Sequence, residues 1–309
     1  MNKKKMVITS GDPAGCGPLI SLKAIDAYKA GNIEFFLVGD KKNLQKIPIY
    51  QRLKNKITLV DANTSGIDKL KKGYSTKLSG QASLNYLYKA LEVMKSKSIK
   101  RLVTAPLSKE AVQLNLPEFR GHTEFLAESF GIKNVVMMMA SEKLKVALFT
   151  RHIPLRKIFS TLKKRDILNT LSLVNGSLKK QFRIRKPKIA FASLNPHAGV
   201  DTFVEKEEKI ILKAISEFKS KIFGPYPCDT LFTPQNLKKY DCIICAYHDQ
   251  AMLPFKLLSM KDGVNVSLGL PIVRTSPAHG VAYDIIKNKK TPFYSSMLAA
   301  IKLAAQLSP

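Results

Sequence analysis

Short apolar runs alternate along the chain with longer segments in which apolar residues recur at helical spacing. Residues 6–9, 35–38, 57–60 and 101–104 are predicted to be buried strands. A helix is predicted over 81–97, where Leu84, Leu87, Tyr88, Leu91 and Met94 fall on one face. Further strands are predicted at 135–140, 146–150, 188–192, 242–246 and 264–268. Helices at 167–182, with Leu168, Leu171 and Val174 on one face, and at 205–219 lie between them. This alternation predicts an α/β fold with a largely parallel sheet. Neither an internal repeat nor a low-complexity linker interrupts it. Ligands in such sheets bind beyond the carboxyl ends of the strands, so the loops there hold the candidate chemistry. The first strand runs into Gly11-Asp12-Pro13-Ala14-Gly15-Cys16-Gly17-Pro18, which matches neither the Walker nor the Rossmann glycine pattern. It reads as a tight turn or as an anion or cofactor loop.

Composition narrows the class. With 309 residues, 45% hydrophobic and 24% charged, the chain can bury a sizeable core and is neither disordered nor collagenous. No apolar run is long enough for a membrane span, and only Met6 to Ile8 follow the N-terminal lysines before Gly11. A cytoplasmic protein without a membrane partner is expected. Cys16 and Cys228 stand alone, while Cys242 and Cys245 share a strand and point to opposite faces, which suits packing rather than a metal. Charge is the unusual feature: 51 Lys plus Arg against 23 Asp plus Glu gives +28. Such a surplus raises a basic nucleic-acid-binding protein as an alternative from another class. Only nine of those cations are Arg, and the lysines are scattered singly and in pairs, as on a solvated surface. The expectation is therefore no nucleic-acid partner.

Three of the five histidines, His152, His197 and His248, each follow a predicted strand. If those strands share a sheet edge, their imidazoles make a three-ligand site for a divalent ion with an open position. Each taken alone reads first as an ordinary hydrogen-bonding residue, and it is the three equivalent positions that bring the metal reading level with it. Asn195, Asp249 and Gln250 stand nearby in sequence as supporting partners. His122 precedes Thr123 and Glu124 at the start of a predicted helix, which is either an anion pocket or a helix cap. Lys256, Asn265 and Arg274 interrupt apolar surroundings. A half-buried Arg274 needs an anion, either a protein carboxylate or a ligand phosphate.

Seven runs in order carry a resemblance: G-D-P-A-G-C-G-P from Gly11, T-A-P-L-S-K-E from Thr104, G-H-T-E from Gly121, L-N-P-H-A-G from Leu194, P-C-D-T-L-F from Pro227, Y-H-D-Q from Tyr247, and G-V-N-V-S-L-G-L-P-I-V-R-T-S from Gly263 with His279-Gly280 beyond it. Together they resemble the 4-hydroxythreonine-4-phosphate dehydrogenase family of pyridoxal phosphate biosynthesis. The resemblance implies an isocitrate/isopropylmalate dehydrogenase-like fold, not Rossmann, with two α/β subdomains around a shared cleft. One is expected over 1–115 plus 284–309. The other, 116–283, is expected to carry the metal, most of the substrate site and the dimer interface.

The resemblance also implies NAD-dependent oxidation of 4-phosphooxy-L-threonine, then decarboxylation to 3-amino-2-oxopropyl phosphate, a precursor of pyridoxine phosphate. A homodimer would share its active site across the interface. His152, His197 and His248 would bind one divalent ion (zinc, magnesium or cobalt). His122, Thr123, Lys256, Asn265 and Arg274 would hold the phosphorylated substrate, with Asp229 and Lys256 as catalytic groups. Gly269, Thr275, His279 and Asp284 would line the cofactor site, for NAD or else NADP. Two departures stand out: the family glycines at 201, 202 and 205 are Asp201, Thr202 and Glu205, and the segment 281–289 lacks the family's A-G-x-G. The segment before Gly224-Pro225 is also shortened. A dehydrogenase of threonate or erythronate 4-phosphate is the related alternative.

Overall fold

The computed structural model describes residues 3–199 and 206–309. Its strands are β1 (Lys4–Thr9), β2 (Ile33–Gly39), β3 (Ile57–Asp61), β4 (Arg101–Thr104), β5 (Val136–Ala140), β6 (Lys145–Leu148), β7 (Ile189–Ala192), β8 (Ile222–Tyr226), β9 (Cys242–Cys245), β10 (Val264–Leu268) and β11 (Val273–Pro277). The chain divides into two compact units. One comprises Met1–Gly131 with Leu270–Leu307, and the other Ile132–Gly269. β11 is a member of the first unit's sheet, paired in parallel with β4.

In the first unit the strand order is β3-β2-β1-β4-β11, all parallel. β1 begins with two exposed lysines and is then buried from Met6 to Thr9, as expected for a strand covered on both faces. The chain builds outward from β1 to β3 and returns on β1's other side with β4. This reversal makes the loops after β1 and β4 diverge at a switch point, the usual ligand position. Gly11, with φ of 70°, lies so close to Pro106 that a Cβ would overlap its carbonyl oxygen. Helix Lys77–Ser96 starts before the expected residue 81. Thr76 Oγ1 accepts from Ser79 N–H at 3.1 Å and Ser79 Oγ accepts from Thr76 N–H at 3.2 Å, a reciprocal cap that nucleates the extra turn. Gly80 in that turn brings the helix against the Ala111 backbone of helix Lys109–Gln113, leaving no room for a side chain.

The second unit has the order β10-β5-β6-β9-β7-β8. β5 runs antiparallel to both of its neighbours, β10 and β6, while β6, β9, β7 and β8 are parallel. The sheet is largely parallel, as expected, with β5 as the reversed strand. β5 and β6 are joined by a turn too short for a crossover helix, closed by Ser141 N–H to Leu144 O at 2.9 Å. Helix Lys164–Lys180 buries Ile167, Leu171, Val174 and Leu178, so its inward stripe passes through Ile167 rather than the half-buried Leu168. β8, the edge strand, accommodates Pro225, which has no N–H for a ladder.

Candidate active site

Arg274 sits mid-strand on β11 and is 2% exposed. Its Nε and Nη2 donate to Thr104 Oγ1 at 3.2 and 2.7 Å, so the hydroxyl that ends β4 fixes the guanidinium. Burial lowers the Arg274 pKa to about 10, and the charge of Glu124 works against that shift. Arg274 therefore keeps its charge at neutral pH. His122 is the first residue of helix His122–Ser129, whose cap is Gly121, so Thr123 lies inside the helix and is not the cap. Part of the His122 residue reaches the surface, but its Nε2 is buried and has no hydrogen-bond partner among the described residues. Burial, then the charges of Arg274 and Lys109, holds the imidazole well below its ordinary pKa. A buried unpartnered nitrogen beside a buried guanidinium is a site arranged for an anionic ligand.

A pH effect follows. In the unfolded chain His122 gains its proton as pH falls below about 6.5, whereas the folded imidazole resists protonation. Stability from this group is complete above that pH and is lost as pH falls towards the depressed folded value, by at most about 1.4 kcal/mol per pH unit. His122→Asn is expected to melt with a shallower pH dependence than the parent below about pH 6.5. Parallel slopes in thermal melts would rule this out.

The loop after β1 is held by Asp12, which is 0% exposed. Its Oδ1 accepts from Ala14 N–H at 2.8 Å and its Oδ2 from the Tyr283 hydroxyl at 2.6 Å. Burial raises the Asp12 pKa, and these hydrogen bonds oppose the rise. Cys16 N–H donates to Val281 O at 2.9 Å, and a Cβ on Gly15 would stand 2.7 Å from the same oxygen. The glycine-rich loop therefore serves chain packing. It is stitched to the segment that carries His279 and Asp284. His279 Nε2 is buried without a partner among the described residues, and no atom lies within 4 Å of where a Gly280 Cβ would stand. Asp284 occupies the first turn of helix Tyr283–Lys287. The Thr275 hydroxyl donates to Ala300 O at 2.9 Å, towards the covering helix.

In the second unit β9 lies between β6 and β7, all three parallel, so the segments bearing His152, His248 and His197 leave neighbouring carboxyl ends. The His152 and His248 ring centroids are 5.5 Å apart. Thr150 ties the ends of β6 and β9 by donating its hydroxyl to Ala246 O at 2.5 Å. His248 opens helix His248–Ser259, and its Nδ1 contacts Asp249 Oδ1 at 2.7 Å. His197 is exposed in a turn after β7. Among the described residues no three His, Cys, Asp or Glu side chains are grouped to hold a metal ion. Lys256 is half-buried on the helix that His248 opens, Asp229 is exposed in helix Cys228–Leu231, and Asn265 on β10 has a buried Oδ1 with no described partner. Gly269 has φ of 95°, and a Cβ would stand 2.8 Å from Asn134 O, which accounts for the glycine by backbone alone. Asp201, Thr202 and Glu205 lie outside the described residues.

Thr104, Lys109, Asp12 and Tyr283 join the predicted site residues without having been singled out by sequence. Thr104 and Lys109 lay inside the T-A-P-L-S-K-E run, which was the available signal.

Over 98% of its length the chain superposes on 87% of isocitrate dehydrogenase from Methylococcus capsulatus with a TM-score of 0.52 at 12% identity, a likeness of fold alone. This is the isocitrate dehydrogenase-like class of α/β proteins. A 4-hydroxythreonine-4-phosphate dehydrogenase structure from Klebsiella pneumoniae matches more closely, with a TM-score of 0.85 and 31% identity over 98% of both chains. A relative of the same name from Desulforapulum autotrophicum is 37% identical over 98% of this chain and 95% of its own length. D-threonate 4-phosphate dehydrogenase from Salmonella typhimurium is 33% identical over the whole of both. The chain belongs to the family of the pyridoxal phosphate biosynthetic protein PdxA, whose profile matches residues 19–304.

Proposed function

We propose that the chain oxidises the secondary hydroxyl of 4-phosphooxy-L-threonine with NAD and that the product loses carbon dioxide to give 3-amino-2-oxopropyl phosphate for pyridoxine 5′-phosphate synthesis. The observation that carries this reading is the buried Arg274 guanidinium beside the unpartnered His122 Nε2. With Thr123 they would take the substrate phosphate, and fixing that remote group orients the reacting carbon. Lys256 and Asn265 would bind the amino-acid end. Asp229 would accept the hydroxyl proton, and Lys256 would return one to the carbon left when carbon dioxide departs.

The donor chemistry of the strand-end histidines suits a divalent ion, while among the described residues His152, His197 and His248 do not form a three-ligand group. Neutral imidazole nitrogens suit zinc or cobalt, and magnesium with additional waters, so His152, His197 and His248 would hold a divalent ion. Such an ion supplies Lewis-acid polarisation of the substrate oxygen. NAD, which accepts the hydride, would be held by His279 and Asp284, where Gly280 leaves room and a carboxylate suits an unphosphorylated ribose better than that of NADP. A homodimer is supported by Leu253, Leu257 and Met260, which are 66%, 87% and 76% exposed on and just after the helix opened by His248. Four free cysteines and the lack of any described helix able to cross a membrane accord with a cytoplasmic setting.

The Salmonella relative supplies a second reading, a sugar-acid phosphate as substrate. Both substrates are to be assayed with NAD and a divalent ion by NADH absorbance. A kcat/KM at least about tenfold higher for 4-phosphooxy-L-threonine is expected. The reverse preference would reassign the substrate, and no turnover of either would refute the activity.

A further inference from the structure

Glu208, the third residue of helix Lys206–Glu217, is 0% exposed. A carboxylate is tolerated in such a place only when charge-assisted hydrogen bonds replace its hydration. Both its oxygens are engaged by one turn. Leu194 N–H and Asn195 N–H donate to Oε1 at 2.7 and 2.9 Å, and Asn195 Nδ2 donates to Oε2 at 2.7 Å. Immediately afterwards His197 and Ala198 adopt φ values of 56° and 53°. Two successive non-glycine residues in the left-handed region cost roughly 1 kcal/mol or more each, and persist only where neighbouring contacts over-determine the backbone.

Gln250 meets the same turn from the other side. It is 6% exposed, and its Nε2 donates to Ser193 O at 2.7 Å while its Oε1 accepts from Ala246 N–H at 2.7 Å. Ser193 Oγ in turn donates to Asn195 O at 2.9 Å. One amide thus joins the backbone after β7 to the backbone after β9, and it stands on the helix that His248 opens. A buried, fully engaged carboxylate and amide on either side of a strained turn specify one conformation of that turn.

We propose that Glu208, assisted by Gln250, is a positioning residue that holds the strained turn bearing His197, so that this imidazole is presented at the strand end next to the one bearing His248. Its functional consequence rests on the metal reading given above. The clamp itself does not.

Glu208→Gln keeps the side-chain volume but removes the charge and turns one acceptor into a donor facing N–H groups. In the full-length chain without metal, hydrogen exchange of a peptide spanning 189–199 is expected to rise about tenfold or more, with the far strands of the sheet unchanged. Titration with Co2+ is expected to give about tenfold weaker binding. Glu208→Asp should recover part of that loss, which a merely structural role would not predict. Asn195→Ala removes one of the three bonds at a half-buried position and should move both readouts a few-fold in the same direction. It decides the matter if Glu208→Gln does not fold. Unchanged exchange in the folded variants overturns the clamp, as does a drop in melting temperature with Co2+ affinity intact. If the parent protein binds no Co2+, the metal reading fails, while the exchange data still test the clamp.

Discussion

Arg274→Ala is expected to lower kcat/KM for the phosphorylated substrate by roughly 100- to 1000-fold, the scale on which truncating one member of a buried charge pair acts. The guanidinium is 2% exposed and is aligned by Thr104 Oγ1 at 2.7 and 3.2 Å, so its cost of desolvation and ordering is met during folding rather than on binding. Arg274→Lys retains the charge but not the planar fork and should recover little. Thr104→Val leaves two guanidinium N–H donors without this acceptor and is expected to cost about 1–3 kcal/mol in the same quantity. The decisive control is the substrate lacking its phosphate. If Arg274 acts on the phosphate, parent and Arg274→Ala should turn over that analogue alike. Equal losses on both substrates would mean that the arginine supports the fold or another part of the reaction. Circular dichroism and NADH affinity separate those two outcomes.

Strand positions were legible where apolar runs end in glycine, proline or charge, as in β1 to β4, but β3, expected to be buried, is an edge strand in which only Ile57 is buried. β11 was not legible, since Val273–Pro277 carries arginine, threonine and serine yet is buried throughout. Its polar side chains find partners far away in the chain, such as Thr104 for Arg274 and the Ala300 carbonyl for Thr275. No local pattern encodes such pairings. The same holds for the Tyr283 hydroxyl on Asp12, which joins the two ends of the first unit. The histidines were legible conditionally. Their placement after strands was visible, but that β6, β9 and β7 are neighbours is a property of sheet order, which periodicity leaves open. Likewise the supports of the His197 turn could be recognised only once Glu208 and Gln250 were placed around it. Neither residue lies within a spacing that the local sequence would connect to His197.

His248→Ala and His152→Ala are each expected to reduce turnover by at least about three orders of magnitude, the range seen when a group essential to the chemical step is removed, with little change in melting temperature. The His248 side chain is 39% exposed at a helix start, so its truncation opens no core cavity. Asp249 Oδ1 lies 2.7 Å from Nδ1, and a carboxylate there favours the proton on Nδ1 and leaves the Nε2 lone pair for a ligand. Asp249→Asn should therefore weaken metal binding about tenfold with His248 intact, an effect of orientation and basicity rather than of ligand loss. Chelation of the parent protein should reproduce the alanine phenotype and be reversed by added cobalt or zinc, whereas His248→Ala should stay inactive at the same metal concentration. Metal content by mass spectrometry makes the contrast sharp. Stoichiometric metal in folded His248→Ala, or turnover of the parent in the presence of chelator, would place the ion elsewhere and leave the three strand ends with a different task.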